Sequence, residues 1–134
     1  MDIYCTDEFY QSFEILRGQK AYRGLESEIS EHFLNKPIED LSSGKRLNNS
    51  STHPLIKKRL NGSGGYRIYY LIKISDSIVL LLFVHPKTGP DGSENITDKH
   101  YTLISKQAYD ALKNNTYFII TLDTKTQKLN FKKN

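Results

Sequence analysis

PLIKKRLNGSGGYRIYYLIKISDSIVLLLFVHPK, residues 54–87, holds three runs of strand character, and the fold turns on how they face one another. The first, Leu55 to Leu60, alternates: Ile56, Lys58 and Leu60 point one way, while Leu55, Lys57 and Arg59 point the other. Asn61 to Gly65 is a Gly-rich reversing segment, because glycine reaches positive φ without steric cost. The second run, Tyr66 to Ile74, is rich in β-branched and aromatic residues. After the polar break Ser75-Asp76-Ser77, the third run, Ile78 to Val84, is apolar on both faces, as a strand covered on two sides must be. Together they predict an antiparallel meander.

Parity along the meander decides the site. With Ser75-Asp76-Ser77 as a three-residue loop, Ile74 faces Ile78, and counting back puts Arg67 opposite His85 and Tyr69 opposite Phe83. With Asn61–Gly65 as the first loop, Leu60 faces Tyr66 and Arg59 faces Arg67. Lys57, Arg59, Arg67, Tyr69, His85 and Lys87 then share one face, since side chains alternate strictly. The other face carries Ile56, Leu60, Tyr66, Ile68, Tyr70, Ile72, Leu80, Leu82 and Val84, and is expected to be the core face. A slip of one residue would exchange the two sets.

At 134 residues the chain is read as one domain, 1–134, with enough length for a core that needs no metal or disulfide. The net charge of +4 favours a polyanionic or an acidic protein partner without deciding between them. The single Cys5 excludes an internal disulfide and fits a reducing cytosol. No charged-then-apolar leader opens the chain and no apolar run approaches the ~20 residues of a membrane span, so the expectation is a cytoplasmic protein without a membrane partner.

In chain order, Ile3-Tyr4-Cys5 reads as an edge strand. Thr6 or Asp7 can cap a helix in which Phe9, Phe13 and Leu16 recur at helical spacing. A second helix fits Tyr22 to Asn35, with Tyr22, Leu25, Ile29 and Phe33 on one stripe, and Pro37 ends it. Both stripes are expected to lie on one face of the meander. Ile38 to His53 lacks periodicity and reads as a loop. Lys87 to Thr97 is a turn-rich connection, and Asp98 to Asn115 contains a helix starting either at Thr97 or at Ser105. Tyr117 to Leu122 and Gln127 to Phe131 read as two paired strands in a C-terminal extension. The fold class is thus α+β: a small antiparallel meander sheet, two N-terminal helices on one face, then a C-terminal helix and extension.

Several site types are missing. There is no Gly-x-x-x-x-Gly-Lys-Ser/Thr loop, no dinucleotide fingerprint and no Cys/His spacing for zinc. Asp91, Glu94 and Asp98 could hold a cation, but such a cluster is more often a solvated loop. His32 and His100 read as surface groups, and Tyr66 and Tyr70 as core. Lys57-Lys58-Arg59 alone would pass for a solvated strand face, and His85 for either a strand-end histidine or a site residue. Arg67 differs. A mid-strand arginine between Tyr66 and Ile68 needs an anion: a phosphate, a partner's carboxylate, or Glu26, Glu28 or Glu31. The face suits RNA cleavage, in which the 2′-hydroxyl attacks its own phosphate and the protein supplies orientation, proton transfer and positive charge, with no metal or cofactor.

The order strand–helix–helix–meander, with Leu34-Asn35-Lys36-Pro37, Leu55-Ile56-Lys57-Lys58-Arg59, Gly64-Gly65-Tyr66-Arg67-Ile68-Tyr69-Tyr70 and Leu80–Lys87, resembles the RelE/HigB group of bacterial toxins, in the RelE/ParE superfamily. The resemblance covers about residues 3–113, leaving 117–134 as an extension. It implies a ribosome-dependent endoribonuclease that cuts mRNA in the ribosomal A site, inhibits translation, and is silenced by a cognate antitoxin. Arg67 falls on the family's Gly-x-Arg arginine, Lys87 on the basic residue past the third strand, and Lys57 and Arg59 on the basic pair before the glycines; His85 has no firm counterpart. The candidate catalytic residues are therefore Arg67, His85 and Lys87, and the candidate RNA-binding residues Lys57, Arg59 and the potential base-stacker Tyr69. The alternatives are a ParE-like inhibitor of DNA gyrase without enzymatic activity, or a basic RNA-binding domain without cleavage.

Overall fold

A computed structural model describes residues 2–34, 36–61, 65–87 and 96–134. The chain runs β1 (Asp2–Cys5), α1 (Asp7–Arg17), a 3-10 turn (Lys20–Tyr22), α2 (Leu25–Phe33), α3 (Ile38–Leu41) and β2 (Lys45–Arg46). It continues through β3 (Leu55–Leu60), β4 (Tyr66–Lys73), a 3-10 turn (Ile74–Asp76), β5 (Ile78–Pro86), α4 (Asp98–Asn114), β6 (Phe118–Asp123) and β7 (Lys128–Lys133). The class is α+β. The sheet is not the small antiparallel one expected: it has seven strands in the order β2-β3-β4-β5-β1-β6-β7, with β1 parallel to β5 and the other neighbours antiparallel.

The reason lies in β1. Far from being an edge strand, it pairs with β5 on one side and β6 on the other. Ile3 and Cys5 are buried and Tyr4 is half-buried, a pattern too short to be distinguished from an edge by periodicity alone. Thr6 then turns the chain into α1: its hydroxyl accepts the Phe9 amide at 3.2 Å and donates to the Leu82 carbonyl at 3.4 Å, so the cap also pins the helix to β5. The C-terminal strands join the free side of β1 and continue the same sheet.

The meander pairs as expected between β3 and β4, with Leu60 opposite Tyr66, Arg59 opposite Arg67 and Lys57 opposite Tyr69. The segment 62–64 of its first loop lies outside the described residues. Between β4 and β5 two departures offset each other. Lys73, not Ile74, faces Ile78, because the 3-10 turn and Ser77 (φ 53°) close the connection. A bulge then pairs Tyr69 with Phe83 and Tyr70 with Leu81, leaving Leu82 as the extra residue. Arg67 therefore still meets His85. Leu80 and Leu82, however, leave the expected core face and belong to the other one; Val79 and Leu81 take their places.

Both faces are buried. The first cluster joins Phe9, Phe13 and Leu16 of α1, Leu25, Ile29 and Phe33 of α2, and Leu41 of α3 with sheet residues including Ile56, Ile68, Tyr70 and Leu81. Each such side chain contributes about 1.5–3 kcal/mol on burial. The second joins Ile104, Ala108 and Ala111 of α4, at i, i+4 and i+7, with Leu55, Tyr69, Leu71, Leu80 and Leu82. The two alanines let the helix backbone approach the sheet closely. Thr97 caps α4, accepting the His100 amide at 3.1 Å, which settles the start at Thr97 over Ser105.

The stretch read as a loop, 38–53, contains α3 and the two-residue β2. The Tyr70 hydroxyl donates to the Leu41 carbonyl at 2.7 Å, anchoring α3 to the sheet. Gly44 (φ 122°) permits β2: a Cβ there would lie 2.9 Å from both Ile56 Cγ2 and the Lys57 carbonyl oxygen. α2 is shorter than expected, because the chain enters it through the 3-10 turn and Gly24. At the far edge, β7 does not present all its outward groups. The Leu129 amide donates to Glu26 at 2.7 Å, and Arg17 donates to the Leu129 carbonyl at 3.1 Å and to Glu26 at 2.9 Å.

Candidate functional site: a cationic sheet face

Alternation and the register above place Lys57 and Arg59 of β3, Arg67 and Tyr69 of β4, and Phe83 and His85 of β5 on one face. Lys58, between the first two, points to the other face, where its ammonium lies 5.9 Å from the Phe33 ring centroid. Lys87 follows β5 two residues beyond His85; its amide donates to the Gly65 carbonyl at 3.0 Å and its side chain is exposed. α4 covers the part of this face made by Leu55, Leu71, Leu80 and Leu82. The cations lie past that apolar part, toward the end of the sheet formed by the β3–β4 connection.

Arg67 is only 6% exposed, and its Nη1 donates to the Tyr66 carbonyl at 3.0 Å. Among the described residues no carboxylate lies within ion-pair distance of it. The three glutamates of α2 do not serve: Glu26 is taken by Arg17 and the Leu129 amide, Glu28 accepts the Asn61 amide at 2.6 Å, and Glu31 makes no ion pair among the described residues. Across the ladder stands Arg59, exposed and itself without an acidic partner among the described residues. Two arginines side by side, one of them buried, leave a strong requirement for an anion.

Tyr69 and His85 form the floor. Tyr69 is 1% exposed, so its ring offers no open face for a base; it stacks on His85 instead, with centroids 5.6 Å apart. Lys57 Nζ lies 6.0 Å from the Tyr69 ring centroid. The Tyr69 hydroxyl is 3.1 Å from His85 Nε2, and His85 Nδ1 is 2.9 Å from the Pro86 carbonyl. A carbonyl only accepts, so Nδ1 carries the proton and Nε2 accepts from the tyrosine. Burial pushes the His85 imidazole below its ordinary value; the Pro86 bond opposes this, and Lys57, Arg67 and His100 add to it. His85 is therefore neutral at neutral pH, with both nitrogens engaged. Burial likewise raises the Tyr69 phenol, against the Ile96 backbone bond and the Arg67 charge.

Two groups near this floor escape a reading of the sequence. His100, in the first turn of α4, sits edge-on to Phe83 at 4.4 Å, and its Nε2 lies 3.3 Å from Glu8 Oε1 of α1. The two partners are 92 residues apart, so no local pattern could have joined them. Asp91 and Glu94, weighed as cation ligands, lie outside the described residues; among those described, no group of three or more His, Cys, Asp or Glu could hold a metal ion. No described helix is long and apolar enough to cross a membrane. Compared with known proteins, the chain matches no family model, and no curated protein or solved structure is significantly similar to it.

Proposed function

We propose that the chain is the toxin of a toxin–antitoxin pair, a RelE/HigB-like, metal-independent mRNA endoribonuclease acting in the ribosomal A site of the cytoplasm. The observation that carries this reading is Arg67: a buried guanidinium without a carboxylate partner among the described residues, flanked on the same face by Arg59 and Lys57, with the exposed Lys87 two residues beyond His85. The strand–helix–helix–meander order, with α1 and α2 sharing one cluster with the face opposite Arg67, supports a RelE/ParE-like arrangement. Arg67 would clamp the non-bridging oxygens of the scissile phosphate, where charge grows as the 2′-hydroxyl attacks. Arg59, Lys57 and Lys87 would hold that phosphate and its neighbours in line. The Tyr69–His85 pair serves as a rigid floor under the clamp. An antitoxin would silence the site by covering these cations with acidic or amphipathic chain.

His85 favours a second reading. With both ring nitrogens bonded inside the protein, it is poorly placed to move a proton, as a basic RNA-binding domain without cleavage would allow. Cut-site mapping on mRNA in a translating extract separates the two. Discrete cuts that vanish with Arg67→Ala support the nuclease. Retention of RNA without cuts supports the binding domain, and inhibition of gyrase supercoiling with neither would support a ParE-like inhibitor.

A further inference from the structure

The nuclease reading leaves the site without a proton acceptor, since His85 is neutral but closed. The Glu8–His100 pair meets that need. His100 contacts Phe83 at 4.4 Å, and Phe83 lies 5.8 Å from the His85 ring and opposite Tyr69 in the ladder, so one phenyl ring is the shared wall between His100 and the floor. The Glu8 and His100 side chains are 29% and 26% exposed, open enough to meet a substrate. Glu8 oxygen accepts from Nε2–H at 3.3 Å, which leaves the lone pair on Nδ1; among the described residues no group is hydrogen-bonded to that atom. A partly exposed pair of this kind adds at most about 1 kcal/mol to stability, so stability alone gives little reason for it.

We propose that His100, oriented by Glu8, is the proton acceptor of the cationic site, an inference that rests on the ribonuclease reading. His100 Nδ1 takes the proton of the RNA 2′-hydroxyl as the O2′–P bond forms and the P–O5′ bond breaks. The departing 5′-oxygen takes a proton from water, the hydroxide left behind takes the proton held on His100 Nδ1, and the products are a 2′,3′-cyclic phosphate and a 5′-hydroxyl. Glu8 is the positioning residue: its carboxylate fixes the tautomer and stabilises the imidazolium that forms.

The test is cleavage of mRNA in a translating extract by the wild-type chain, His100→Ala, His100→Gln and Glu8→Gln, each with a melting curve. His100→Ala is expected to melt as the wild type does, to lose about 10²-fold or more in rate, and to regain part of it when free imidazole is added. His100→Gln is expected to be as slow and to resist rescue, since glutamine fills the space without supplying a base. Glu8→Gln is expected to be slowed less. A His100→Ala variant that cleaves at the wild-type rate overturns the inference, as does a folded but inactive one that imidazole leaves inactive. If His100→Ala fails to fold, a Glu8→Gln variant of unchanged rate overturns it. Wild-type protein that leaves mRNA intact overturns the ribonuclease reading itself, and this inference with it.

Discussion

Arg67 and His85 face each other on adjacent strands, and each constrains the other. Three cations, Arg59, Arg67 and Lys57, gather on a face where His85 must stay neutral. Loss of Arg67 should therefore relieve repulsion: Arg67→Ala is expected to keep the fold, with a melting temperature equal to or slightly above the wild type. Unfolding of that variant would make Arg67 a structural residue. His85 gives a pH signature whose sign follows from its lowered value. Below about pH 6.5 the unfolded chain binds a proton that the native site resists, so stability is lost as pH falls from there through the lower native value. The melting temperature should drop across that window, and drop less in His85→Gln. Equal slopes in the two proteins would show that His85 is not the buried neutral group described. Part of this was legible in the sequence: alternation separated Lys57 from Lys58, and counting back from the β4–β5 connection put Arg67 opposite His85, a pairing that holds because the Leu82 bulge cancels the longer connection. The closure of His85 was not, because it depends on the Pro86 carbonyl and on a hydroxyl sixteen positions away.

At the scale of elements, the β4–β5 pair shows why a correct register at one end did not carry through. The connection is one residue longer than a three-residue loop, and the Leu82 bulge cancels the offset halfway along. Leu80, Leu81 and Leu82 are all leucine, so the run carries no mark of which one is extra. The same uniformity lets the strand serve α4 on one face and α1 on the other. β7 makes a different point. As the sheet's last strand it would offer a ladder to a second copy, and the Arg17–Glu26 pair occupies the outward groups of Leu129. Glu26→Ala strands the Leu129 amide and leaves Arg17 with Glu14 as its one remaining carboxylate among the described residues, at a cost of about 1–3 kcal/mol. It should also self-associate in a concentration-dependent way through the opened edge, measured by sedimentation. A monomer of wild-type stability would show that the pair guards nothing.

The whole molecule is a sheet with two unlike faces. One is apolar from β3 to β7; the other is apolar only under α4, and past it turns cationic. A net charge of +4 is too small to define a partner, but its concentration at that end favours a polyanion. For single-stranded RNA, each phosphate contact contributes about −0.7 to the slope of log affinity against log salt. Arg59→Ala and Lys87→Ala should each flatten the slope by about that amount, whereas Lys58→Ala, on the opposite face, should leave it unchanged. Equal effects from all three would place the RNA elsewhere. At this scale the α+β class and the helix stripes were readable in advance. The parallel entry of β1 was not, since four residues bear no sign of their neighbours, and neither was the sheet's continuation into 117–134.

Whether the Arg67 face cleaves RNA is decided by mapping mRNA cut sites in a translating extract, with wild-type protein beside a folded Arg67→Ala variant. The wild type should make discrete cuts and the variant should be about 10²–10³-fold slower, the size of loss seen when one donor to a developing oxyanion is removed. Cuts of equal rate from both proteins, or none from the wild type, would contradict cleavage by this face.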